Sequence, residues 1–93
     1  MDTVRLDGNE LDAVTFATQN TKILAIRAAH GLLGCGYIST ETAAKVGDAL
    51  AVVSGVANYE DMLAATVKAV SPAAEAIGVR PGMAGRDALL KMM

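Results

Sequence analysis

The hydrophobic period of this chain changes once, at Ser39. Up to Ile38, apolar residues alternate with polar ones or gather in β-branched runs. From Ser39 onward they recur at intervals of three and four. Strands first and helices after is the order of an α+β domain, with helices packed on one face of a mostly antiparallel sheet.

The first part predicts a meander. Thr3 to Leu6 alternates, and Asp7-Gly8-Asn9 supplies a turn in which Gly8 adopts positive φ. Leu11 to Thr18 follows, with Val14 and Phe16 on one face. After the polar turn Gln19-Asn20-Thr21, Lys22 to Ala28 sets Leu24 and Ile26 on one face and Ile23 and Ala25 on the other. Ala29-His30-Gly31 turns the chain into a fourth strand, Leu32 to Ile38. Short connections make these neighbours antiparallel.

The second part predicts helices. Ser39 or Thr40 caps the first, Glu41 suits its positive end, and Ala43, Val46, Ala49, Leu50 and Val53 form one buried face as far as Gly55. Asn58 opens a short second helix carrying Met62 and Leu63, with Asp61 completing a weak capping box. Residues 65–71 fit either a helix or a fifth strand; Thr66, Val67 and Val70 favour the strand. Ser71-Pro72 starts a short helix that Gly78 stops. Arg80-Pro81-Gly82 is a turn, and the last helix runs from Arg86 to Met92. The expectation is a single domain over residues 1–93, with four or five strands and three or four helices on one face.

Composition bounds the function. Hydrophobic residues make up 53% of the chain and charged ones 19%, against a usual ~25% charged. A small domain hides such a surface poorly, so a homo-oligomer, most simply a dimer, is expected. A net charge of −2 gives no basic footprint for nucleic acid. Phe16, Tyr37 and Tyr59 are the only aromatics, too few for a base-stacking platform. The polar start MDTVRLDGNE is neither a signal peptide nor a membrane span. One cysteine leaves no intramolecular disulfide, and the default compartment is the cytoplasm.

The stretch HGLLGCGYIS, residues 30–39, concentrates the residues that could do chemistry. On an unbroken strand Leu33, Cys35 and Tyr37 share one face, while Gly34 and Gly36 leave a bare strip on the other. Glycine inside a strand has a reason, here the close approach of a helix or of a small ligand. Cys35 is the candidate nucleophile. A reactive thiol needs a cation, a helix N-terminus or an imidazole beside it; His30 lies on the opposite face and about 16 Å away at strand rise. One histidine and one cysteine build no zinc site, and no glycine pattern matches a phosphate or dinucleotide loop, so neither metal nor cofactor is expected. Asp48 reads as a solvent-facing carboxylate, or as an acid facing a cleft. The start of the last helix, flanked by Arg80 and Arg86, offers a weak anion site. The candidate binding residues are Gly34, Gly36, Tyr37 and Asp48.

Gly31, Cys35-Gly36-Tyr37, Gly47-Asp48, Gly55-Val56 and the closing run from Gly78 to Leu89 (GVRPGMAGRDAL), taken in order, resemble the YunC-like domain-of-unknown-function family of bacteria and archaea. The likeness is clearest from Gly31 to Leu89. It implies a small α+β domain that stands alone, and no activity or catalytic role for Cys35 or Asp48. Two functions follow from the sequence. One is a non-enzymatic, self-associating domain that binds a small molecule or a protein. The other is a thiol-dependent enzyme or redox sensor using Cys35.

Overall fold

The computed structural model describes residues 1–93. Six strands form one mixed sheet in chain order, joined by four helices. The meander is as the sequence predicts: β1 (Asp2–Leu6), β2 (Asn9–Ala17), β3 (Lys22–Ala28) and β4 (Gly31–Gly34), each antiparallel to the next. Leu6 pairs with Asn9 across a two-residue turn whose residues, Asp7 and Gly8, have φ of 49° and 83°. Positive φ at both positions matches the right-handed twist of the strands it joins.

The chain then departs from expectation. The fourth strand stops at Gly34 rather than Ile38, because the Ile38 N–H bonds back to the Cys35 carbonyl (3.0 Å) and closes a turn. The first helix, α1 (Thr40–Val46), starts on a Ser39 cap as predicted but ends far short of Gly55. At Gly47, φ is 83°, and its N–H reaches the Ala43 carbonyl at 2.9 Å; only glycine adopts this left-handed cap freely. Beyond it Leu50–Val52 is not helix but β5, parallel to β4. A parallel pair needs a crossover, and α1 is that crossover.

Asn58 caps α2 (Tyr59–Ala64), its side chain accepting from the Asp61 N–H at 2.8 Å. The ambiguous segment resolves mainly as strand: β6 (Ala69–Val70) pairs with β5, and Thr66 bridges to Ala84. Ser71 caps α3 (Pro72–Ala76), and α4 (Gly85–Lys91) closes the fold.

The alternation of the strands sorts the apolar residues into two sets. Val4, Leu6, Leu11, Ala13, Leu24, Ile26, Leu33 and Ala51 face α2 and α4 and meet Met62, Val67, Leu89 and Met92 in the main core. Each Val, Leu, Ile or Met among them, fully buried, contributes roughly 1.5–3 kcal/mol, and the alanines less. Leu50 and Val52 point the other way, where Ala43 of α1 covers them. The helices are thus not all on one face: α1 lies opposite α2 and α4. It covers only the β4–β5 end, and no helix covers the second face of β1–β3. No helix is long and apolar enough to cross a membrane.

Candidate functional site

The turn after β4 separates the residues that an unbroken strand would have aligned. Cys35 goes inward and is 5% exposed. Its N–H donates to the Leu24 carbonyl at 3.0 Å, and its Sγ accepts the Leu24 N–H at 3.3 Å. The sulfur thus stands in for a strand carbonyl where the ladder ends. His30 is exposed in the β3–β4 turn; its ring makes no hydrogen bond, while its N–H donates to the Met92 carbonyl at 2.7 Å. Tyr37 goes outward and is 58% exposed.

At Gly34 the bare strip is covered from within the chain. A Cβ at Gly34 would lie 2.8 Å from Ile38 Cδ1 and 3.3 Å from Leu50 Cδ1, so Ile38 folds back over the glycine. At Gly34 the close approach is thus made by a neighbouring side chain rather than by a helix. Gly36 is exposed, with only Ser54 Cβ nearby at 3.8 Å.

Two of the candidate residues do come together. Tyr37 and Asp48 line a groove of about 320 Å³ between α1 and the β4–β5 pair, with Leu32, Ile38, Val46 and Leu50 as its apolar walls. Asp48 is not inside a helix; it sits in the turn after Gly47, exposed, and pairs with no cation. At Leu32 this groove adjoins a second one of about 170 Å³, lined by Met1, Asp12, Ala13, Val14, Ala25, Arg27 and Leu32. The second groove lies on the open sheet face. The sequence carried its signal: Lys22 to Ala28 is apolar at both parities, so that strand has a second apolar face.

The anion site at the last helix is already occupied by internal bonds. Arg80 Nη1 donates to the Glu75 and Val79 carbonyls (2.6 and 3.1 Å), Arg86 pairs with Asp7 at 3.2 Å, and the Gly85 N–H donates to the Ala65 carbonyl at 2.8 Å. A polar cluster that the sequence did not suggest joins β1, β2 and α2. The Tyr59 hydroxyl donates to Asp2 Oδ2 at 2.5 Å and accepts from Thr15 Oγ1 at 2.8 Å. Burial, helped by the bond to the Asp2 carboxylate and its charge, pushes the Tyr59 hydroxyl above the ordinary tyrosine pKa.

The uncharacterised protein YunC of Bacillus subtilis (strain 168) is 33% identical over 94 residues, which span 97% of this chain and 93% of that one. The crystal structure of TA1206 from Thermoplasma acidophilum, a protein of unknown function, superposes with a TM-score of 0.93 at 33% identity, covering 99% of this chain and 90% of that one. The domain-of-unknown-function family DUF1805 matches residues 34–92, from the end of β4 through α4. With more than half its length inside that match, and a relative like YunC along nearly all of it, the chain belongs to the DUF1805 family.

Proposed function

We propose that this protein is a non-catalytic, self-associating domain whose working surface is the uncovered sheet face. One observation carries the reading: large apolar side chains left in water gather there. Phe16 is 65% exposed on β2, and Tyr37 and Val46, 58% and 66% exposed, line the groove that joins the face at Leu32. Exposed apolar residues scattered singly need no explanation, whereas several on or beside one uncovered face point to an interface.

The charges on the face suit a second copy. Arg5 pairs with Glu10 at 3.6 Å and Arg27 with Asp12 at 2.6 Å, all four on the outward side of β1–β3. Their charges cancel, so these four residues add no net repulsion to a face-to-face pairing although the chain carries −2 and Asp48 in the adjoining groove is unpaired. The Tyr37–Asp48 groove, with Gly34 beneath Ile38, extends the same surface. Cys35 supports the non-catalytic side of the reading, since its sulfur is buried and already engaged by a backbone N–H. A reducing cytoplasm is the compartment that keeps such a lone thiol free.

Sedimentation equilibrium of the full chain tests the proposal. A dimer that Phe16→Glu converts to monomer, with the variant still folded by circular dichroism, is the expected result. A wild-type monomer at every concentration overturns it, and a small molecule found on the face of such a monomer would assign the surface to that ligand instead.

A further inference from the structure

We infer that Phe16 of one copy seats in the hollow over Ala25 of a second copy, and the reverse, about a two-fold axis. The inference rests on the self-association proposed above and specifies how it is made. Phe16 stands out from β2 with 65% of its surface in water. Two residues along the same strand, Val14 pairs across to Ala25, so knob and hollow are ~7 Å apart along the strand. The hollow exists because Ala25 is small, while Val14, Leu32 and Met1 rise around it and Ile38, folded over Gly34, closes the β4 side.

Size and chemistry fit. An enclosed apolar cavity of ~150 Å³ accepts benzene; the hollow over Ala25, open to solvent on one side, measures about 170 Å³. Val14, Ala25, Leu32 and the exposed Met1 offer the ring an apolar bed, and Asp12 and Arg27, paired with each other, form part of its rim. Buried aromatic anchors in pockets are the usual centres of tight interfaces. Any two points on a surface are exchanged by a two-fold axis set midway between them in the contact plane, so one knob and one hollow per copy suffice for a closed pair. The three uncovered strands, β1–β3, hold 21 residues; at ~3.3 Å per residue and ~4.8 Å between strands they give roughly 330 Å² of flat face. Side-chain relief and the Tyr37–Val46 groove extend this towards the ~800 Å² per partner of a standard interface.

The test uses Phe16→Ala, which removes the knob, and Ala25→Phe, which fills the hollow, each checked for folding by circular dichroism. Sedimentation equilibrium should show the dimer dissociation constant raised about 30-fold or more by Phe16→Ala. Ala25→Phe should raise it about tenfold although it adds apolar surface. Mixing the two variants, with one carrying a distinguishable tag, should yield a heterodimer tighter than either homodimer, because one intact knob meets one intact hollow and the filled hollow faces a missing knob. A wild-type monomer would overturn self-association altogether. A wild-type dimer that Ala25→Phe leaves unchanged or tightens, with no heterodimer preference, would overturn the knob-and-hollow contact alone and move the interface elsewhere.

Discussion

Replacing Gly85 with alanine should destabilise the fold far more than one methyl group suggests. Gly85 opens α4 where the helix crosses α2, held by its N–H bond to the Ala65 carbonyl. A Cβ there would overlap the Met62 carbonyl oxygen and come within 3.1 Å of Leu33 Cδ2. Neither neighbour can give way easily: the first is helix backbone, and Leu33 is 0% exposed. Overpacking of a tight core costs ~1–3 kcal/mol, and a backbone partner puts this case in the upper part of that range. Opposing it, alanine restricts the unfolded chain and returns ~0.4–1 kcal/mol. The net loss is about 2 kcal/mol, or roughly 8–16 °C in melting temperature for a domain of this size. Gly36→Ala is the control. Its Cβ would meet nothing closer than 3.8 Å, and Gly36 is not among the positive-φ glycines. It should leave stability unchanged or raise it by up to ~1 kcal/mol. Thermal unfolding followed by far-ultraviolet circular dichroism measures both, at one fixed protein concentration because association shifts the midpoint. An unchanged or raised melting temperature for Gly85→Ala would refute the close-approach reasoning.

Three further outcomes follow from named contacts. Ser71 is 1% exposed; its hydroxyl donates to the Asp48 carbonyl (2.7 Å) and accepts the Leu50 N–H (2.9 Å) while capping α3. Ser71→Ala strips a buried donor and a cap together and should cost about 2–3 kcal/mol in urea unfolding; a loss near zero would show that the contacts are dispensable. Tyr59 holds its proton above the unfolded ~10, so its share of stability is complete below that pH and is lost as pH rises through the raised folded value. Tyrosinate absorbance should therefore show a late-titrating phenolate that disappears in Tyr59→Phe, and its survival in that variant would place it elsewhere. Native Cys35 should react with an aromatic disulfide reagent at a rate set by opening of the fold, accelerating on addition of urea. Prompt reaction in native buffer would revive the thiol-based alternative.

The meander was legible because each of its turns carries its own chemistry, and three helix starts were legible from Ser39, Asn58 and Ser71-Pro72. β5 was not. Leu50-Ala51-Val52 is buried on both faces, so it shows no alternation, and with Ala43, Val46 and Ala49 before it the run imitates a helical stripe. Val46 exposes the error: the stripe points it inward, yet it is 66% exposed. The local sign was Gly47, whose left-handed conformation ends the helix. The same kind of misreading split the candidate site. Period two places Cys35 and Tyr37 together, but the turn closed by the Cys35 carbonyl sends the sulfur into the core and the phenol into water.

Composition alone overstates the case for assembly, and the fold shows why. Eighteen of the hydrophobic residues are alanines, which add little apolar area each. The accessible surface, 5238 Å², is close to the ~5,000 Å² that size scaling gives a folded monomer of this mass. The amount of surface is ordinary; its distribution is not. Because β4 and β5 run parallel, their crossover helix must lie on one side of the sheet, and α1 is short enough to cover only that end. The remaining helices are drawn to the other side by Leu24, Ile26 and Leu33. The second face of β1–β3 is left without a covering element, yet its sequence keeps Val14, Phe16 and Ala25 where an exposed antiparallel sheet would alternate to polar residues. An aromatic ring held in water beside a ring-sized hollow gains nothing for the isolated chain, and it acquires a physical role once a second copy closes over it.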